Sequence, residues 1–459
     1  MGFLIKLGVI DYRGCNEQEV NPVISDFREN YLNELTQTIG NEEFISRSRS
    51  KDGGKGFTRQ RKIHFSHLII LLVQGLKRSL QRELNSFYQK LQQKDFLLQH
   101  VTKGAFSRAR AKLKPEAFVE LNDVGINNFY KHAPYQQWHG FRLVSSDGST
   151  AVLPNHPSIK KEFGVTKFGP YANSPRSVAR ISLLYDVLNF TTLDGQIGSY
   201  NTSERQLLKQ HLDKIKPGAD LLLLDRGYPS YGLLFELQAR GIHYCIRLTD
   251  DWWLEVRKLC AGDEDREVVF QLPKNKKELR KQYPDASTDI RCRLVYVTLA
   301  DGSKEVLCTS LLDKEAFPLD CFAELYHFRW NIEEGYKLYK CRMELEAFSG
   351  KTALAVKQDF FAGIFMMTTA AVMAFPVVEE IKKTRDISSR KHPHQINRTN
   401  ALSMIREMAI NLLMKRMVTN ALSAFDNILK ATTEIIRPNR KVTRKKQKKK
   451  APAMNNKRL

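Results

Sequence analysis

Three acids in the chain are placed where carboxylates could converge. Asp147 follows the apolar run FRLVSS, Asp225 ends the stretch LLLLD, and Glu333 lies in the helical segment YHFRWNIEEGYKLYK. Carboxylate oxygens are the donors that hard divalent cations take, with positions left open for substrate phosphates. Two such ions about 4 Å apart activate an attacking oxygen and stabilise a leaving one, which is two-metal phosphoryl transfer. Each acid also has an ordinary reading. Asp147-Gly148 is a turn dipeptide, and Glu333, like its neighbour Glu334, is readable as a solvated helix acid. Asp225 resists that reading, because a charge ending a buried strand is costly away from the sheet edge where ligands bind.

Glu333 has company. Tyr326, Arg329, Glu333 and Lys340 stand at offsets 0, 3, 7 and 14. On one regular helix, at about 100° per residue, they fall within about 60° of one another, and Glu334 lies about 80° from the reference direction. One carboxylate, two cations and a phenol on a face suit a metal ligand flanked by phosphate binders. The alternative is an Arg329–Glu333 bridge at i,i+4. Arg226, next to Asp225, is placed to touch phosphate or brace that carboxylate. Asp186 in LLYDVL is either a supporting acid or a sheet-edge residue.

These residues need a scaffold, and the chain from residue 139 reads as one. FRLVSSDGSTAVLP is a strand with a turn expected at Asp147-Gly148. ARISLLYDVLNFTTLDGQIGSY is a hairpin expected to turn at Asp194-Gly195. Helices follow over 204–212 and 230–240, separated by the apolar strand ADLLLL, whose unbroken apolar run marks a buried central strand. HYCIRL is a further strand. The order gives a mixed α/β sheet. Residues 249–318 read as a β-rich insertion, and a single helix is expected over 319–345.

The first 138 residues read as helical. Apolar residues recur at helical spacing over 67–91. FLLQHVTKGAFSRARAKLKPEAF reads as a short helix, a turn at Thr102–Gly104 and a second helix carrying Lys103, Arg108, Arg110 and Lys112. That is a helix-turn-helix reading helix or a solvated basic helix. Residues 381–436 are again helical. Phe360–Val378 contains no charge; its length permits a membrane span, but Gly363, Thr368, Thr369 and Pro376 within it favour a buried core helix.

Composition narrows the partners. The 459 residues hold 73 Lys plus Arg against 50 Asp plus Glu, a formal net charge of +23. That balance favours a polyanion, above all nucleic acid. Arg47–Lys62 is a basic, glycine-containing loop, and the tail Arg437–Leu459 carries 11 Lys or Arg and no acid, as expected of a disordered segment that adheres to nucleic acid. At 42% hydrophobic residues the chain as a whole is not disordered. Seven cysteines without a CxxC pair argue against a disulfide framework or structural zinc and favour a reducing cytosol. The opening MGFLIKLGVIDYRG has too short an apolar stretch for a signal peptide.

The spacing Tyr326-x2-Arg329-x3-Glu333-x6-Lys340 resembles the YREK signature of the DDE transposases of the bacterial insertion-sequence-four family. SSDGSTAVLP resembles that family's first Asp motif and LLLLDRGYPSY its second, and FSRARAKL is similar to a stretch of its N-terminal region. The resemblance covers about residues 100–380. It implies an RNase H-like mixed sheet core with a β-rich insertion, flanked by helical N- and C-terminal regions. Residues 1–138 would bind the terminal inverted repeats; the core would span 139–248 and 319–380, interrupted by 249–318; 381–436 would be a helical C-terminal region and 437–459 a disordered basic tail.

The resemblance further implies that Asp147, Asp225 and Glu333 hold two magnesium ions, with manganese able to substitute. Tyr326, Arg329 and Lys340 would contact DNA phosphates near the cleaved end. The implied activity is cut-and-paste transposition, in which element ends are cut and their 3′ hydroxyls joined to target DNA by a homodimer across two paired ends. Some members flip a base onto an aromatic ring; Trp252 or Trp253 would serve, unless they only pack the insertion. The setting implied is the bacterial cytoplasm, associated with the nucleoid. Two alternatives stand beside this: an RNase H-like nuclease without strand transfer, and an inactive or domesticated DNA-binding protein.

Overall fold

The strand β4 (Asp220–Leu224) is apolar at four consecutive positions because both faces of the sheet around it are covered. Leu221 and Leu223 belong to one buried cluster, Leu222 and Leu224 to a second on the opposite face. The same alternation, with its period of two, divides Leu143 from Val144 in β1 (Arg142–Val152). These observations come from a computed structural model that describes residues 26–50, 56–58, 61–97, 99–167, 175–249, 253–260, 264–298, 302, 304–385 and 392–436. The basic tail from residue 437 lies outside the described residues.

Among the described residues, six helices precede the sheet: α1 (Asp26–Gly40), α2 (Glu42–Arg47), α3 (Phe65–Val73), α4 (Leu80–Leu91), α5 (Lys103–Arg110) and α6 (Glu116–His132). After β1 come α7 (Pro157–Phe163), β2 (Val178–Asp186), β3 (Thr192–Ser199), α8 (Glu204–His211), then β4, α9 (Tyr231–Ala239) and β5 (His243–Leu248). Next are α10 (Leu254–Cys260), β6 (Asp265–Gln271), α11 (Lys277–Gln282), β7 (Asp289–Thr298) and β8 (Lys304–Thr309). The chain continues with α12 (Cys321–Phe328), α13 (Asn331–Lys337), α14 (Ala353–Arg385), β9 (His394–Gln395), α15 (Arg398–Leu413), α16 (Val418–Ala431) and β10 (Glu434–Ile435), which pairs with β9.

Among the described residues the main sheet has eight strands in the order β3-β2-β1-β4-β5-β8-β7-β6. β1, β2 and β3 pair antiparallel, while β4 and β5 run parallel to β1. Three antiparallel strands followed by two parallel ones through helical crossovers is the arrangement of an RNase H-like core. β6, β7 and β8 do not form a sheet of their own. β8 pairs antiparallel with β5, so the strands of 249–318 extend the core sheet and cover what would otherwise be its open edge.

The Asp-Gly turns expected at Asp147-Gly148 and Asp194-Gly195 are absent. β1 runs through Asp147 and Gly148, which pair with Leu183 and Ser182 of β2. Asp194 and Gly195 pair with Leu184 and Leu183, and the β2–β3 connection lies earlier, between Asp186 and Thr192. Each glycine makes room for a neighbour. A Cβ on Gly148 would lie 2.5 Å from Glu204 Cδ, and one on Gly195 would lie 2.0 Å from Ile364 Cδ1. Asp186 ends β2 and is fully buried, accepting hydrogen bonds from the Leu188 and Asn189 amides and the Tyr130 hydroxyl. It holds the connection rather than the candidate site.

The helical periodicity over 67–91 resolves into α3 and α4. Gly75 adopts φ +72°, the left-handed conformation that ends helices. Arg406 of α15 donates to the carbonyls of Gln74 (2.8 Å) and Gly75 (3.0 Å) there. α14, the long apolar helix, lies inside the protein: Phe360, Phe365, Val372 and Met373 are buried, and it packs on α6, α3, α15, α16 and β3. The helix expected over 96–101 is not formed among the described residues there. Thr102 instead caps α5, its hydroxyl accepting from Ala105 N at 3.2 Å.

Candidate active site

Asp147 and Asp225 stand side by side. Every pair of the β1–β4 ladder, up to Ser145↔Leu223, is offset by the 78 positions that separate Asp147 from Asp225. Continuing that register by two residues puts the two aspartates opposite one another, on the sheet face shared by Leu143 and Leu223. Asp147 is half-buried within β1; its Oδ1 accepts from Gly148 N at 2.7 Å. Asp225 is half-buried just past the end of β4, with Oδ1 accepting from Gly227 N at 2.8 Å. Burial, with the charges of Asp225 and Glu204 added, pushes Asp147 up to about 6, against the pull of the Gly148 amide and Arg329.

The helical segment that carries Glu333 is not one regular helix. α12 ends at Phe328, and the bonds Arg329 N→Tyr326 O, Trp330 N→His327 O and Glu333 N→Trp330 O tighten the chain to three-residue spacing before α13. Leu338–Arg342 then widens into a π-turn. Tight and wide turns displace the helix phase in opposite senses, and Tyr326, Arg329 and Lys340 all reach the β1 and β4 ends of the sheet. Tyr326 is buried and donates to Leu224 O at 3.4 Å, bracing the end of β4 beside Asp225. Arg329 is buried between the rings of Tyr326 and Trp330, and its Nε has no hydrogen-bond partner. Lys340, in the π-turn, donates to Ser149 Oγ (3.1 Å) and Thr150 O (2.9 Å) of β1.

Glu333 is half-buried in the first turn of α13. Arg329, four residues before it, acts on the Asp147 carboxyl, and Tyr336, three residues after it, bonds the Asp147 carbonyl at 2.7 Å. Glu333 lies on the helix face between those two contacts. Glu334 is exposed and ion-paired with Lys337 instead. Among the described residues no three His, Cys, Asp or Glu side chains are drawn close enough to enclose an ion. The donors fit a hard divalent cation in kind: they are carboxylate oxygens alone, and one of them, Asp147, is pushed toward protonation chiefly by burial and then by the charge of Asp225.

Other expected site residues are dispersed. Arg226 is exposed beside Asp225, and Arg108 is exposed on α5. Lys112 is half-buried just beyond α5. Arg110 is turned inward. Its guanidinium bonds Gln358 Oε1 (2.6 Å), Ser349 Oγ (2.6 Å), Ala355 O (2.8 Å) and Asp359 Oδ1 (2.6 Å), pinning α5 to α14. It presents nothing to a ligand. Trp253 is buried and stacked on Tyr231 at 4.8 Å, so it offers no open ring face. Trp252 lies outside the described residues.

Two neighbours of Asp147, Glu204 and Tyr336, and one of Arg329, Trp330, escaped the sequence reading. Glu204, paired with Arg180 at 2.9 Å, sits over Gly148. Trp330 is 46% exposed and shares its ring with Arg329. Tyr336 stands one helical turn after Glu333, a spacing that was visible.

The family model described as "Transposase DDE domain" matches residues 138–369. The transposase InsG for insertion sequence element IS4, from Escherichia coli (strain K12), is 24% identical over 381 residues, 81% of this chain and 81% of that protein. A solved cryo-EM structure of a piggyBac transposase synaptic complex with hairpin DNA aligns with a TM-score of 0.44 and 9% identity, over 87% of this chain and 85% of the other.

Proposed function

The chain belongs to the DDE transposases of the IS4 family, enzymes that transfer polynucleotides, and on that premise we propose that it works by cut-and-paste. It cuts the ends of an insertion sequence and joins their 3′ hydroxyls to target DNA. The observation that carries this reading is the β1–β4 register, which sets Asp147 against Asp225 with Arg329 in electrostatic reach.

Asp147, Asp225 and Glu333 are the residues that would hold two magnesium ions, or manganese in their place. Bound divalent cations supply activation of the attacking oxygen and neutralisation of the leaving one. Around them Arg329, short of a hydrogen-bond acceptor, takes a phosphate oxygen of the end being cut. Lys340 and Arg226 hold flanking phosphates, Lys340 by exchanging its β1 contacts for the backbone. Tyr326 keeps the end of β4 in place and meets phosphate only by leaving Leu224 O.

Residues 1–138 would bind terminal inverted repeats, 381–436 would support a homodimer across two paired ends, and the basic tail would add salt-sensitive affinity for DNA in the nucleoid of a bacterial cytoplasm. The test is cleavage of a DNA fragment bearing the gene's own flanking ends, with magnesium, with EDTA and with Glu333→Gln. Magnesium-dependent nicking at the boundary, lost in the variant, is expected. Cleavage without joining to target would favour the nuclease reading. Binding without cleavage under all three conditions would favour an inactive DNA-binding protein.

A further inference from the structure

Three contacts seat α13 on the sheet, and they step along β2 and the turn that follows it. Asn331 Nδ2 donates to Val187 O at 2.9 Å. Gly335 lies flat on Tyr185, where a Cβ would come within 3.1 Å of the ring. The Tyr336 hydroxyl accepts from Leu183 N at 3.1 Å and donates to Asp147 O at 2.7 Å. The first two contacts involve only β2 and its turn. The third spans the Asp147↔Leu183 pair and reaches the backbone of the first aspartate.

That carbonyl is held from a second direction. Ser182 Oγ donates to Asp147 O at 3.1 Å and lies 3.0 Å from His211 Nε2, whose Nδ1 is 2.7 Å from Asp194 Oδ2. Ser182, His211 and Asp194 are all buried. Asp147 therefore has a fixed backbone, and the helix bearing Glu333 is tied to it through one rigid phenol. Tyr336 and Glu333 are three residues apart, on one helix face. Of the three contacts that seat α13, the Tyr336 hydroxyl is the one that ties the helix bearing Glu333 to the Asp147 backbone.

We propose that Tyr336 is a positioning residue that fixes the separation of Glu333 from Asp147 and thereby the affinity of the acidic site for divalent cations. The proposal rests on the reading of Asp147, Asp225 and Glu333 given above. It requires that losing the hydroxyl alone, with the ring retained, weaken cation binding without weakening the hold on DNA.

The test uses the full-length protein. Mn2+ binding is titrated calorimetrically without DNA, and the Mg2+ midpoint of end cleavage and the affinity for end DNA are measured beside it. Tyr336→Phe is expected to weaken Mn2+ binding and raise the Mg2+ midpoint by about tenfold, the range seen when a group supporting a metal ligand is lost, with DNA affinity held within about twofold. At saturating Mg2+ its cleavage recovers. Asn331→Ala loosens the same helix without touching Asp147 and should leave both metal midpoints within about twofold of wild type. Gly335→Ala keeps the phenol but pushes α13 off Tyr185, and should weaken Mn2+ binding in the same direction; it also serves should Tyr336→Phe not fold.

Unchanged metal midpoints in Tyr336→Phe and Gly335→Ala, or an equal shift in Asn331→Ala, would overturn the role given to Tyr336. Wild-type Mn2+ binding that is indifferent to Glu333→Gln would instead overturn the reading of the three acids on which the proposal rests.

Discussion

Asp147 and Asp225 leave adjacent parallel strands at the same level, one continuing within β1 and the other just past the end of β4. Neighbouring strands run about 4.8 Å apart, so the charge of Asp225 acts on Asp147 without any loop having to carry the two together. Arg329 is the cation that acts on Asp147, while Asp225 and Glu204 oppose its ionisation. Burial adds the largest cost to that charge, and the cost is measurable in the stability of the fold.

The cost depends on pH in a definite direction. Asp147 is raised from 3.8 to about 6 in the folded chain, chiefly by burial. Below about pH 4 both folded and unfolded chains hold the proton and no penalty exists. Between about 4 and 6 the unfolded chain releases it first, so stability falls as pH rises, and above about 6 the full penalty is present. A shift of this size corresponds to at most about 3 kcal/mol. Asp147→Asn should raise the thermal midpoint in EDTA near neutral pH and leave it unchanged at about pH 4. Calorimetry that finds equal midpoints at neutral pH would show that burial of this carboxyl is not costly.

Glu333 and Glu334 separate cleanly by environment. Glu334 pairs with Lys337 in solvent, while Glu333 occupies the face bracketed by Arg329 and Tyr336. Glu333→Gln should lower end cleavage by more than about a hundredfold, beyond the loss usual for a group that only supports a ligand. Glu334→Gln removes an exposed ion pair worth at most about 1 kcal/mol and should leave cleavage nearly unchanged. Comparable losses in the two variants would mean that the helix, not the carboxylate, is being disturbed.

Spacing and the apolar run before Asp225 are local signals, and they are what single out the three candidate acids in the sequence. The central strands were legible for the same reason: DLLLL needs cover on both faces wherever it sits. The Asp-Gly dipeptides were misread because their glycines answer to distant groups. Gly148 admits Glu204 of α8, and Gly195 admits Ile364 of α14. Nothing within a few residues of either glycine records that approach. Arg110 was misread likewise: its four partners lie between Ser349 and Asp359, far along the chain. The uneven winding around Arg329 and Lys340 was hidden because an unbroken helical pattern does not reveal where the bonds tighten or widen.

Gly195 turns that lesson into a double-mutant test. A Cβ there would sit 2.0 Å from Ile364 Cδ1, the far end of a flexible side chain. Gly195→Ala should cost about 1–3 kcal/mol by overpacking. Ile364→Val deletes the clashing methyl, so the double variant should be more stable than the sum of the single losses implies, with a coupling of about 0.5–3 kcal/mol. Strict additivity in denaturant titrations would place the strain elsewhere.

Arg110 and Arg108 lie on the same short helix and should behave oppositely. Arg110 is 6% exposed and paired with Asp359 at 2.6 Å. Arg110→Met leaves the half-buried Asp359 without its main partner and should cost about 3 kcal/mol. Arg108→Ala should leave stability within about 0.5 kcal/mol. If α5 faces DNA, Arg108→Ala also lowers the salt dependence of binding by about one unit of slope. A salt slope that does not change would remove α5 from the DNA-binding face.

The tryptophans divide along the same line between packing and presentation. Trp253 lies between Tyr231 at 4.8 Å and Phe270 at 4.7 Å, and only 8% of it is exposed. Trp253→Ala should therefore cost about 3–5 kcal/mol and act on DNA only through lost folding. Trp330 is 46% exposed, with Arg329 lying 5.3 Å from its ring. An open ring beside a buried guanidinium is a surface on which an unpaired base can stack, a contact worth about 1–3 kcal/mol per base. Trp330→Ala should leave the thermal midpoint unchanged and weaken binding of an end with unpaired bases more than binding of the same end fully paired. Fluorescence titration of the two DNA forms decides it, because an equal loss on both would assign Trp330 to holding Arg329 rather than to meeting a base.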